Sequence, residues 1–248
     1  MLIEKYTKLK NGQYKLRFDN NTSTLLHEDL ILKYGLLIHK EIDEEQLEKL
    51  LIENNSYIAY DIAIAYLKIK MRSKKEIREY LIKKEVNEEL IDQVIDMLSK
   101  QGYLHDDSYC QSFIHDRIHL SNDGPYKIKE TLKKIGIDDK LIEKNIELFN
   151  PDLEIERIHK ILDKQIRTNT NKSAYALKRK IIDYLVSLGY TKEIVIKEVD
   201  SITINDRDAF RKEYDKIYNK LSKKYTGKEL EYKLRQKMYQ KGFYNEYD

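Results

Sequence analysis

A block of about fifty residues recurs down this chain, and few folds accommodate such a period. The segments 73–86, 124–137, 177–190 and 230–243 align without a gap. Ile77, Ile128, Ile181 and Leu234 share one slot, Leu81, Leu132, Leu185 and Met238 a second, and Val86, Ile137, Tyr190 and Phe243 a third. The steps along the second slot are 51, 53 and 53 residues. Gly136, Gly189 and Gly242 occupy another common position, where the first copy has Glu85. A fixed period of this size marks tandem supersecondary units, each burying its apolar face on its neighbours. The predicted fold is mostly α: elongated tandem three-helix repeats, α-solenoid-like, with a small N-terminal α+β cap.

The rest of the chain agrees with long helices, since 248 residues contain only two prolines and eight glycines. Residues 1–55 are predicted to form the cap. Ile3, Tyr6 and Leu9, then Tyr14, Leu16 and Phe18, flank Asn11-Gly12, a dipeptide suited to a tight hairpin turn. Short helices are expected at 26–34, ended by Gly35, and at 43–54. Repeat 1 covers 56–105, with helices near 56–70, 73–84 and 87–101. Its first helix opens after Asn55 or Ser56, Ser73 and Glu76 form a capping box, and Asn87 starts the third helix. Repeat 2 covers 106–150, opening on Asp106 or Asp107, with Pro125 in the first turn of its middle helix. Repeat 3 covers 151–204 and opens on Pro151. A partial repeat 4 covers 205–248, with a first helix at 206–224 and a basic second helix. Stacking is expected to set neighbouring middle helices side by side, about 8–10 Å apart.

Charge is distributed by helix. The net charge is only +3, yet the middle helices carry most of the excess cations, and the helix after each is acidic (Glu88, Glu89, Asp92 and Asp96, then Asp138, Asp139, Glu143 and Glu147). The candidate contact residues are Arg72, Lys74 and Arg78 in repeat 1 and Lys127, Lys129 and Lys133 in repeat 2. Lys178, Arg179 and Lys180 in repeat 3, with Lys233 and Arg235 in repeat 4, complete the set. Lysines on a helix are ordinarily just solvated, but recurrence in four copies singles these out as a basic ribbon suited to phosphates. The Arg78 slot recurs as Lys129 and Arg235 and is broken by Ile182. The tyrosines could stack on bases, but Tyr80, Tyr184 and Tyr190 fall at core spacing and are read as core.

Other classes have little support. No run of about 18 apolar residues is present, so no membrane span is expected. The start Met-Leu-Ile-Glu-Lys lacks the apolar stretch of a signal peptide, and the single Cys110 fits a reducing cytoplasm. His115 and His119 have the i, i+4 spacing of a helical metal pair, but no third ligand is marked out, so they read as a polar helix flank with no metal. Asp106 and Asp107 read as helix-start residues in preference to an acid–base pair. No catalytic grouping or cofactor motif emerges, so neither catalysis nor a cofactor is expected.

Several elements resemble one family. Arg72, Ser73, Glu76 and Ile77 are similar to the Arg-Ser-x-x-Glu-Leu signature that opens the second helix of RecX regulatory proteins. Gly102, Tyr103, Leu104 and Asp106, followed by Tyr109, resemble that family's Gly-Tyr-Leu-Asp-Asp element. Phe113, Arg117, Gly124, Pro125, Ile128, Glu130, Leu132, Gly136 and Ile137 resemble its next block. Coverage is good over 57–140 and looser to 202. His105, Cys110 and Glu85 depart from the pattern, where the family favours Asp, Ala and Gly. The resemblance, to the longer Gram-positive type, implies a monomeric cytoplasmic modulator of RecA. It would bind the RecA filament on single-stranded DNA and restrain strand exchange, ATP hydrolysis and coprotease activity, with weak, salt-dependent binding to single-stranded DNA itself. The alternatives are a stand-alone nucleic-acid binder and a helical protein-binding scaffold.

Overall fold

The computed structural model describes residues 1–9 and 12–244. Asn11 of the expected turn lies outside them. The chain divides into two compact units, residues 1–109 with the turn 135–137, and residues 110–134 with 138–248.

The first unit begins with an antiparallel sheet in the order β1 (Ile3–Lys8), β2 (Gln13–Phe18), β3 (Ser23–His27). The hairpin was legible in the sequence, whereas β3 was not expected. Leu25 and Leu26 pair with Lys15 and Tyr14, so the helix expected from 26 starts later, as α1 (Glu28–Lys33). His27 ends the strand and caps the helix, its Nδ1 accepting the Asp29 N–H at 3.2 Å. Ile3, Leu16, Phe18, Leu26, Leu30, Ile31 and Leu50 form a closed apolar core for this region.

The expected pair of helices at 43–54 and 56–70 is a single 24-residue helix, α2 (Glu44–Leu67). The break expected after Asn55 or Ser56 does not form, and the contacts of neighbouring Asn54 show the helix running on. The Asn54 side chain is buried against β3: Oδ1 accepts the His27 N–H at 2.7 Å and Nδ2 donates to the Leu25 carbonyl at 3.2 Å. Unpaired strand groups are satisfied from mid-helix, and the helix continues. Leu50 serves the sheet core, while Ala59 and Ala63 serve the core of the first repeat. The division expected after residue 55 therefore falls inside a helix, whereas those after 105, 150 and 204 fall between helices.

Helices α3 (Lys74–Lys83) and α4 (Glu88–Lys100) complete the first repeat. The Ser73–Glu76 capping box and the Asn87 cap both form. Ile77, Leu81, Ile91, Val94 and Leu98 are buried together with the two alanines of α2. Asp106 does not cap its own helix. Its carboxylate accepts the Lys74 N–H at 3.2 Å, at the start of α3, while the ring of His105 lies 3.3 Å from the Ser108 N–H.

The division between the units falls inside α5 (Asp106–Leu120). The second unit continues with α6 (Pro125–Lys134), α7 (Asp139–Asn145), α8 (Pro151–Thr168), α9 (Ala174–Ser187), α10 (Lys192–Ser201), α11 (Arg207–Leu221) and α12 (Gly227–Gln240). Arg157 of α8 holds several turns together. Its guanidinium donates to the carbonyls of Ile118 and Ser121, which end α5, and its Nε to the Tyr190 hydroxyl at 3.2 Å. Burial pushes the Tyr190 phenol up despite that neighbouring cation. The side chain of Glu154 accepts the Thr191 N–H at 2.7 Å, satisfying the backbone of the residue that precedes α10.

Side-by-side stacking was expected; within each unit the start of a middle helix instead meets a glycine turn end-on. In the first unit the Ser73 hydroxyl, at the start of α3, donates to the Ile135 carbonyl at 2.7 Å. In the second, Gly124 and Tyr126 at the start of α6 donate to Leu188 and Gly189 at 2.7 and 3.0 Å. The Ser173 hydroxyl at the start of α9 donates to the Lys241 carbonyl at 2.8 Å. Orphan donors and acceptors of successive helix ends thus satisfy one another, with dipoles in the favourable sense. The shared glycine slot follows from this contact. Gly136, Gly189 and Gly242 have φ of 83°, 86° and 83°, and a Cβ there would come within 3.0 Å of Lys75, Lys127 and Ser173 respectively. Glu85 also turns left-handed, with φ of 60°, and its backbone carries no such helix start.

Candidate functional site

The apolar register buries one face of every middle helix: Ile77, Ile128, Ile181 and Leu234 are all buried, as are Leu81, Leu132, Leu185 and Met238. The cations between these positions are therefore directed outward, and their surroundings differ.

Just before α3, Arg72 is enclosed. Its guanidinium stacks 3.9 Å from the centre of the Tyr66 ring and reaches Glu76 at 3.2 Å, and its Nε is buried without a hydrogen-bond partner. Tyr80 stacks on the other side of this group, its ring 3.8 Å from that of Tyr66. Lys74 is exposed. Arg78 pairs with Asp92 of α4. The equivalent residue in α6, Lys129, pairs with Glu143 of α7 at 2.6 Å. Both pairs are 14 residues apart, so a cation on the middle helix and a carboxylate on the following helix form a unit of the repeat. Lys127 reaches Asp123 at 2.7 Å and Lys133 reaches Asp139 at 3.2 Å.

The third repeat lacks this pairing. Its two corresponding positions are Ile182 and Ile196, on packed helices α9 and α10, so both members of the pair are apolar. The cations of α9 lie nearer its start and meet neutral partners. Lys178 donates to the Asp200 carbonyl at 3.1 Å and Lys180 to the amide oxygen of Asn169 at 2.8 Å. Arg179 is exposed and makes no hydrogen bond or ion pair among the described residues. In α12, Lys233 lies 5.3 Å over the Tyr225 ring, and Arg235 is exposed.

Exposed ion pairs contribute only about 0–1 kcal/mol and exchange readily for an external phosphate or carboxylate. The pairs of α3 and α6 thus hold their cations in place without making them unavailable. Sequence reasoning found the cations but missed the aromatic residues beside them. Tyr184, read as core, is 37% exposed, and Tyr175, Tyr232, Tyr239 and Tyr244 are also exposed, whereas Tyr190 is buried as expected. His115 and His119 hold their rings 4.3 Å apart, and no cluster of three metal-ligating side chains occurs among the described residues. No described helix is long and apolar enough to cross a membrane.

A family model described as RecX, first three-helix domain, matches residues 59–98. A regulatory protein RecX from Streptococcus agalactiae serotype V is 32% identical over 225 residues, 87% of this chain and 84% of that protein. One from Lactococcus lactis subsp. cremoris strain SK11 is 32% identical over 200 residues, 77% and 74% of the two chains. A crystal structure of a regulatory protein RecX superposes with a TM-score of 0.70 at 22% identity, over 81% of this chain and all of the other, a likeness of fold. The structure of RecX from Lactobacillus salivarius gives 0.56 at 27% identity, over 60% of this chain and 99% of the other.

Proposed function

Because this chain belongs to the RecX family of regulatory proteins, we propose that it binds the RecA filament on single-stranded DNA and restrains strand exchange, ATP hydrolysis and coprotease activity. The observation that carries this reading is the recurrence of outward cations on helices whose apolar register alone suffices to pack them. Arg72 acts indirectly, by fixing the start of α3. Lys74, Arg78, Lys127, Lys129, Lys133, Lys178, Arg179, Lys180, Lys233 and Arg235 supply the contacts. In this reading the protein works in the cytoplasm as a monomer without a cofactor, and its affinity for DNA alone is modest and falls steeply with salt.

The test titrates the protein into RecA assembled on single-stranded DNA and follows ATP hydrolysis. The wild-type chain is expected to lower hydrolysis. Charge reversal at Arg78, Lys129 and Arg235 together should raise the concentration needed many-fold while leaving helicity intact. The matched control reverses Glu88, Asp96 and Glu193, because Asp92 and Glu143 are the partners of Arg78 and Lys129 and would perturb the same sites. Equal effects from both sets, or no effect of the wild-type chain on RecA, would overturn the proposal.

A further inference from the structure

A pocket of about 410 Å³ opens in the second unit, where the start of α9 meets the end of α12. Ala176, Gln240, Lys241 and Gly242 are among its lining residues. Its walls are Tyr175 and Tyr244, whose rings meet edge to face at 5.0 Å and remain 50% and 49% exposed. Tyr239 braces Tyr244 from behind, its ring 4.7 Å away. Arg179 and Lys180 also line it, with Asp183 as the acidic lining residue. The repeat architecture builds this arrangement. Helix α9 has 14 residues where α3 and α6 have 10, and the extra turn at its start carries Tyr175 to the end of α12. Gly242 permits the approach, since a Cβ on it would lie 2.7 Å from the Ser173 hydroxyl and 3.3 Å from the Tyr175 ring.

The combination is selective. Exposed aromatic faces attract flat π systems, and adjacent cations without a carboxylate partner attract an anion. A ligand carrying a flat ring a few bonds from a phosphate satisfies both. We propose that this pocket receives an unpaired nucleotide of a single-stranded nucleic acid, its base against Tyr175 and Tyr244 and its phosphate on Arg179 and Lys180. Base identity is not discriminated, because stacking accepts any base. This inference rests on the nucleic-acid part of the function proposed above and is independent of RecA.

The experiment measures, by anisotropy of labelled strands, binding of the full chain to a short thymidine DNA, a uridine RNA of equal length, and an abasic DNA of equal length and charge. The wild-type protein should bind the base-bearing strands about tenfold or more tighter than the abasic strand, the scale of one stacked base. The two base-bearing strands distinguish DNA from RNA as the source. The chain has no tryptophan, so quenching of tyrosine emission by the base-bearing strands alone gives a second readout. Replacing Tyr175 and Tyr244 by Leu, which keeps apolar bulk without a flat ring, should abolish the preference while thermal unfolding stays near wild type. Arg179→Ala should weaken all three strands alike and lower the salt slope by about one. Equal wild-type binding of base-bearing and abasic strands would make the pocket a general anion or peptide site and overturn the inference, as would a preference that survives in the Leu variant. Running the RecA ATPase assay on the same proteins separates the two proposals: intact restraint without base preference removes only the pocket, and base preference without restraint removes only the filament reading.

Discussion

The middle helices fall into two pairs that share an apolar register but differ in what surrounds their cations. In α3 and α6, each of 10 residues, Arg78 and Lys129 face carboxylates of the next helix. In α9 and α12, each of 14 residues, Lys178 and Lys180 meet a carbonyl and an amide oxygen and Lys233 lies over a tyrosine ring. Packing is thus conserved within the chain while the electrostatic surface is free to diverge. The first pair presents charge locally balanced by a weak partner. The second presents charge beside exposed aromatic faces, which suits an unpaired strand better than a duplex backbone alone.

The sharpest way to break this picture is at the glycine slot, which both pairs use. Gly189→Ala would drive a Cβ into the backbone of Lys127 from a left-handed conformation, and should cost about 3 kcal/mol or more. Glu85→Gly, at the one slot that receives no helix start, should instead stabilise by up to about 1 kcal/mol as left-handed strain is relieved. Urea unfolding followed by circular dichroism measures both, and a similar loss at the two sites would refute the end-to-end contact.

A half-buried cation that serves backbone carbonyls gives the next contrast with the surface pairs. Arg157→Met strips donors from the Ile118 and Ser121 carbonyls and should destabilise by about 2–4 kcal/mol. Lysine there should rescue little, since one ammonium cannot reproduce the guanidinium fork. A thermal melt of the three proteins checks this, and a Lys variant as stable as wild type would show that only the charge matters.

Smaller changes sharpen the distinction between the pairs. Introducing the charged pair into the third repeat, as Ile182→Arg with Ile196→Asp, should cost about 1 kcal/mol of apolar burial, because the site is only partly covered. Exchanging Arg78 and Asp92 should leave stability within about 0.5 kcal/mol of wild type, with any residual coupling lost at high salt. A double-mutant cycle in urea reads both, and a coupling of several kcal/mol would mean that the pair is structural and unavailable to a partner.

Much of this molecule was readable in advance because its signals are local. The recurring Ile and Leu slots, the Ser73 capping box, the Asn87 cap and the helix starts at Pro125 and Pro151 all operate within a few residues. Charge segregation between middle and following helices was also visible, whereas the pairing of Arg78 with Asp92 and Lys129 with Glu143 emerged only in the folded repeat. Asn55 and Ser56 misled because they have the signature of a helix start, whereas the neighbouring Asn54 amide serves a strand 27 residues away from within a continuous helix. Tyr184 misled because core spacing on one helix does not guarantee that a neighbour covers it.

The sequence by itself therefore determined the phase of the repeated helices, the buried Ile and Leu slots on them and the positions of their cations, all set by 3.6-residue periodicity and short-range capping. The tertiary structure alone decided which ends touch. Ser73 and Ile135, Gly124 and Leu188, Ser173 and Lys241 are each separated by more than 60 residues, and no local propensity selects such a partner. Those contacts dictated glycine at 136, 189 and 242, and the last of them gathers Tyr175, Arg179 and Tyr244 into one pocket. The physical reason is that unsatisfied helix ends and backbone close approach are properties of folded neighbours, which a one-dimensional pattern records only as an unexplained glycine.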